Sequence, residues 1–105
     1  MTLPKAHRSQ VPYKRIAAAA LPHLPQLLAR RFPDGRRTGD EWVARNPTRD
    51  DSTLGSFKIN MRTGRWADFA TGDKGGDAIS LLAYLDGTSQ SKAARRLTRL
   101  LDLPF

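Results

Sequence analysis

Cysteine is absent from the 105 residues, so disulfides and thiolate metal cages are excluded, and the fold must rest on packing and hydrogen bonds. That absence is compatible with a reducing cytoplasm, the location expected here. Histidine is almost absent: His7 and His23 have no cysteine or carboxylate pair near them at ligand or catalytic spacing. No nucleophile and base pair is visible either, so no enzymatic activity and no cofactor are expected. No apolar run approaches the roughly 20 residues needed to span a bilayer, and the N-terminus lacks a signal-peptide core, which predicts a soluble chain without a membrane role. Acids are scarce, 10 against 18 Lys and Arg. The net charge of +8 and pI near 10.9 favour anionic partners such as nucleic acid or acidic lipid. The excess is uneven, with eight bases against two acids over residues 1–40, where Arg30-Arg31 and Arg36-Arg37 are densest.

Breakers divide the chain. Residues 1–11, with Pro4, read as a basic flexible arm, and residues 12–105 as a single domain. Residues 12–33 are predicted helical, with Ile16, Ala20, Leu24, Leu27 and Leu28 near helical spacing and a break at Leu21-Pro22-His23. Asp34-Gly35 makes a turn, and Arg36 and Arg37 fall in a glycine-flanked loop. Glu41 to Arg45 alternates as a strand. Ser56 to Asn60 and Arg65 to Asp68 form a hairpin across Met61-Arg62-Thr63-Gly64. Three antiparallel strands are thus expected over residues 40–76. Asp77 caps a helix that ends at Asp86-Gly87, and Ser89 caps a last one with Ala93, Ala94, Leu97, Leu100 and Leu101 as its apolar stripe. Lys92, Arg95, Arg96 and Arg99 form a cationic ridge on its other side. The expected fold is α+β, a small three-stranded antiparallel sheet packed with N-terminal and C-terminal helices.

The ribbon carries the motif. Asn46-Pro47-Thr48-Arg49 is followed by Gly55-Ser56-Phe57, then by Trp66-Ala67-Asp68-Phe69-Ala70-Thr71-Gly72 and Gly76-Asp77. In order and spacing this resembles the N-terminal zinc-ribbon domain of bacterial and phage DNA primases, in which Cys-Pro-Phe-His, Pro-Ser-Phe, a Tyr-x-Cys-Phe-x-Cys-Gly knuckle and Gly-Asp before an apolar helix occupy those places. The four ligand positions implied by the resemblance are Asn46, Arg49, Asp68 and Thr71. One carboxylate, one amide, one hydroxyl and a guanidinium do not suit structural zinc, so no metal is expected. In a small metal domain the ion supplies roughly 10 to 16 kcal/mol that doubles as folding energy. A polar cluster in which Asp68 accepts from Arg49 and Thr71 bonds the loop backbone is the expected substitute, together with a core larger than that of a bare ribbon.

The resemblance covers residues 40–103 and none of a primase's catalytic fold. It implies a non-catalytic module that contacts single-stranded DNA or primer-template in replication of a mobile element, working with a primase, helicase or polymerase subunit. Basic and aromatic residues interleave on the ribbon, which selects Arg45, Lys58, Arg62, Arg65, Trp66 and Lys74 as candidate nucleic-acid contacts, and the dense basic pair Arg36 and Arg37 before the ribbon joins them. Phe57 and Ile59 share one strand face, the resemblance implies that Phe57 lies in the core, and Lys58 falls on the other face. A phosphate cradle at Gly72 to Gly76 is disfavoured, because Walker spacing is missing and Asp73 and Asp77 repel phosphate. The alternative function is an adaptor docking on a helicase, polymerase or host factor. An exposed apolar patch at Leu97, Leu101 and Phe105 would mark it.

Overall fold

The computed structural model describes residues 10–51 and 54–105. The arm expected over residues 1–11 lies, apart from Gln10 and Val11, outside them. Helix α1 (Tyr13–Ala20) runs into a 3₁₀ turn (Leu21–His23) and then α2 (Leu24–Arg31). The break falls at the expected place, where Pro22 cannot donate a backbone bond and Pro25 is accepted in the first turn of α2. Ile16, Ala20, Leu24, Leu28 and Phe32 are all buried at four-residue intervals, so one apolar line continues through the break.

The sheet is larger than the sequence suggested. Five antiparallel strands, rather than three, lie in the order β1 (Arg36–Thr38), β2 (Glu41–Ala44), β3 (Phe57–Asn60), β4 (Trp66–Asp68), β5 (Lys74–Gly75). The two unexpected strands are the edges. Strand β1 is exposed at all three residues and has no apolar pattern, being defined only by its register with β2. Strand β5 has two residues inside a glycine-rich segment and is held against β4. Short edges carrying Arg and Lys resist pairing with other chains.

The hairpin between β3 and β4 closes as expected. The Asn60 side-chain oxygen accepts from the Arg62 and Thr63 N–H groups at 2.9 and 3.0 Å. Gly64 follows at φ 84°, where a Cβ would lie 3.3 Å from the Asp77 Cα. Gly64→Ala therefore combines a left-handed backbone with a tight backbone contact, and an expected loss of about 1 to 2 kcal/mol is read by chemical denaturation.

Helix α3 (Ala78–Asp86) begins at Asp77, whose carboxylate accepts from the Ser80 N–H at 2.8 Å while Ser80 Oγ accepts from the Asp77 N–H. This reciprocal cap fixes where the glycine loop ends. Helix α4 (Gln90–Leu100) starts on the Ser89 cap. One face of the sheet sends Ala44, Phe57, Ile59 and Trp66 into a single core with α1, α3 and α4, to which Ile79, Leu82, Ala94 and Leu97 belong. No helix among the described residues is long and apolar enough to cross a membrane.

Candidate nucleic-acid interface

Alternation along β4 sends Trp66 and Asp68 to the same, inward side. Asp68 is fully buried, as is Asn46. The Asp68 carboxylate accepts from Arg49 Nε at 2.8 Å, from Arg49 Nη2 at 3.3 Å, from Asn46 Nδ2 at 2.8 Å and from the Ala70 N–H at 2.9 Å. Arg49 also donates to Ser56 Oγ at 3.0 Å and pairs with Asp51 at 3.3 Å. Asn46 Oδ1 accepts from the Thr48 N–H, and its amide nitrogen also donates to Tyr84 Oη at 2.8 Å. Tyr84 in turn donates to Asp73 at 2.7 Å. The Asp68 carbonyl accepts from the Thr71 and Gly72 N–H groups, and the Thr71 hydroxyl accepts from the Asp73 N–H at 3.2 Å. All four positions singled out in the sequence therefore meet at one place. Both of the expected bonds, Arg49 to Asp68 and Thr71 to the loop backbone, are present.

The electrostatics of this cluster are dominated by one pair. The Arg49 guanidinium holds the Asp68 carboxyl well below the usual carboxylate range, aided by Asn46 and the Ala70 N–H and opposed by burial. Asp68 is thus ionised at neutral pH and saturated with protein donors.

Tyr84 was not legible as a member of the cluster. Its ring lies 4.7 Å from Trp66 and 6.3 Å from Phe57, so its apolar body belongs to the core while its hydroxyl joins Asn46 to Asp73. The only sequence signal was a phenol on an otherwise mostly apolar helix. Trp66 is 5% exposed, packed against Phe57 and Tyr84, and donates to Ser80 Oγ at 3.0 Å. Its ring is unavailable to a nucleic-acid base, which removes it from the contact set. Gly75 makes that burial possible. A Cβ there would come 2.4 Å from both Trp66 Nε1 and Ser80 Oγ. Gly75→Ala is expected to cost about 1 to 3 kcal/mol by overpacking and to shift Trp66 fluorescence, both read in one denaturation series.

The opposite face of the sheet is open. Register places Arg36, Val43, Lys58, Ala67 and Lys74 in one row across all five strands, with cations on β1, β3 and β5. Strands about 4.8 Å apart put alternate members roughly 10 Å apart. Arg65 stands opposite Asn60 on the same face. A groove of about 770 Å³ is lined there by Lys58, Arg65, Lys74, Asn60 and Phe69, with Glu41 as its one acid. Phe69 is 71% exposed, and Lys58 Nζ sits 5.7 Å from its ring centroid. Phe69, although among the ribbon aromatics, stood outside the candidate set and belongs in it.

The other candidates lie elsewhere. Arg37 shares the register row of Trp42 and Ile59, away from the groove, and donates to the Gly39 carbonyl at 3.1 Å. Arg62 pairs with Asp40 at 3.4 Å beside the hairpin turn. Arg45 lines a separate cleft with Asp50 and Asp51. Neither a protein-family model nor a curated protein matches this chain.

Proposed function

We propose that this protein is a non-catalytic DNA-binding module of a primase or replication system, with single-stranded DNA as its ligand and the open sheet face as its contact surface. The observation that carries this reading is the open sheet face, on which Arg36, Lys58 and Lys74 share one register row and Lys58, Arg65 and Lys74 line a groove with the exposed Phe69. Cations spaced across strands suit a flexible phosphate backbone, and an accessible ring suits base stacking, which contributes about 1 to 3 kcal/mol per base. The reading also draws on the resemblance of the ribbon to primase zinc ribbons. In that light the Asn46, Arg49, Asp68 and Thr71 cluster replaces the ion as the fastening of the knuckle. A module of this kind works in the cytoplasm beside a primase, helicase or polymerase, in replication of a plasmid, phage or integrated element. We assign it no chemistry of its own, since the sequence offers no nucleophile and base pair.

The test is anisotropy of a labelled single-stranded oligonucleotide titrated with the protein at several salt concentrations, beside a Lys58→Glu, Arg65→Glu variant. Salt-steep binding that the variant loses supports the reading. No binding at low salt rejects it in favour of the adaptor. The adaptor's expected patch is weaker than the sequence suggested, because Leu97 is fully buried in the core.

A further inference from the structure

Helix α4 carries Lys92, Arg96 and Leu100 at four-residue spacing, with Arg99 beside them, so these side chains form one stripe. Two depressions meet along that stripe and share Arg96 and Leu100. One, about 420 Å³, lies between α2 and α4 and is lined by Leu27, Leu100 and Leu101. The other, about 510 Å³, extends past Lys92 and Arg99 to Thr88. Leu100 is 54% exposed at their junction, an unusual place for a leucine ringed by cations.

The charge of the joined groove is one-sided. Arg30, Arg31, Lys92, Arg96 and Arg99 line it, against a single acid, Asp102. Asp86, just behind, binds Arg31 and lies 3.6 Å from Arg96. That fixes these two guanidiniums at the lip and leaves Arg30, Lys92 and Arg99 without ion pairs among the described residues. We infer that this groove docks an acidic segment of a partner protein, one that sets an aliphatic side chain on Leu27, Leu100 and Leu101 and its carboxylates on Arg30, Lys92 and Arg99.

Charge complementarity selects this occupant. A second copy of the chain, at net charge +8, is repelled. Residues 1–9 carry Lys5 and Arg8 and no acid, so they do not complement the rim. Nucleic acid would suit the cations, but Leu27, Leu100 and Leu101 leave a base only the His23 imidazole to stack on. Carboxylates at the rim around an aliphatic anchor follow the usual arrangement of a polar border around a desolvated centre. This surface is separate from the open sheet face, so the inference stands or falls independently of the DNA reading.

The experiment uses the full chain and a fluorescein-labelled amphipathic peptide of Glu and Leu, followed by anisotropy. Its companions are the same peptide with Ser for every Leu, and a labelled oligo-dT. Saturable binding of the Glu/Leu peptide is expected, weakened about tenfold by Leu100→Ser and again by Arg30→Glu, and unchanged by Lys58→Glu, Arg65→Glu. Leu100 is half exposed, so its substitution should leave the melting temperature unchanged. The inference is overturned by any of four results: no peptide binding, equal binding of the Ser peptide, loss of oligo-dT rather than peptide binding in the groove variants, or a peptide-independent dimer broken by Leu100→Ser.

Discussion

Asp68→Ala is expected to lower the unfolding free energy by about 2 to 4 kcal/mol, a large part of the 5 to 15 kcal/mol that holds a domain of this size together. The substitution removes four accepted hydrogen bonds from a fully buried carboxylate. The partners are not equally affected. Arg49 retains Asp51 and Ser56 and is partly exposed, so its charge finds other company. Asn46 keeps Tyr84 within reach. The Ala70 N–H loses its acceptor, whereas the remaining partners of Arg49 and Asn46 keep the expected loss below that of a buried pair stripped of all compensation. Chemical denaturation of Asp68→Ala, Asp68→Asn and Arg49→Ala with the double variants measures the coupling directly.

The same pair sets the acid limit of stability. The folded Asp68 carboxyl is held below its unfolded value, so its contribution is complete above the ordinary aspartate pKa of about 3.9. Below that pH the unfolded chain takes up a proton first, and the contribution falls until the folded carboxyl is protonated as well. Wild type should therefore outlast Asp68→Asn at neutral pH, with the gap closing only as pH drops beneath about 4. A gap that stayed constant down to pH 2 would remove Asp68 from the account, because the contribution must fall once the pH is below the unfolded pKa.

Local chemistry made much of this fold legible. The Gly64 turn, the Asp77 cap and the Pro22 break each depend on a few neighbouring residues, and each is present as expected. Strand β1 escaped because nothing in Arg36-Arg37-Thr38 signals burial, and its conformation is set by the backbone of β2. Trp66 illustrates a different failure. Residues two apart in a strand share a face. Once Asp68 was expected inside the knuckle with Arg49, Trp66 had to lie inside too, yet the neighbouring cations drew it toward a surface role. The sequence fits Leu97 both to the packed stripe of α4 and to an exposed patch, and the structure keeps only the first place, with Leu97 fully buried. Register was the missing quantity at the site. It separates Arg36 from its neighbour Arg37, and it gathers Arg36, Lys58 and Lys74, which lie far apart in the chain.

Charge reversal on that face has the second large expected effect. If Arg36, Lys58, Arg65 and Lys74 each neutralise one phosphate of a single strand, the slope of log affinity against log salt is about −2.8, or roughly fiftyfold weaker binding for a fourfold rise in salt. Lys58→Glu, Arg65→Glu should reduce that slope by about 1.4 and bring binding at moderate salt toward background. Phe69→Ala separates the two kinds of contact. It should weaken binding by about 1 to 3 kcal/mol per stacked base and leave the slope unchanged, since a ring releases no counterions. Arg37→Glu provides the internal comparison, because it alters the net charge by the same amount as Arg36→Glu from the next residue along. A nonspecific attraction to a basic protein would treat the two alike. Binding across the sheet face requires Arg36→Glu to flatten the salt slope and Arg37→Glu to leave it nearly as steep, a difference that only the pairing of β1 with β2 creates.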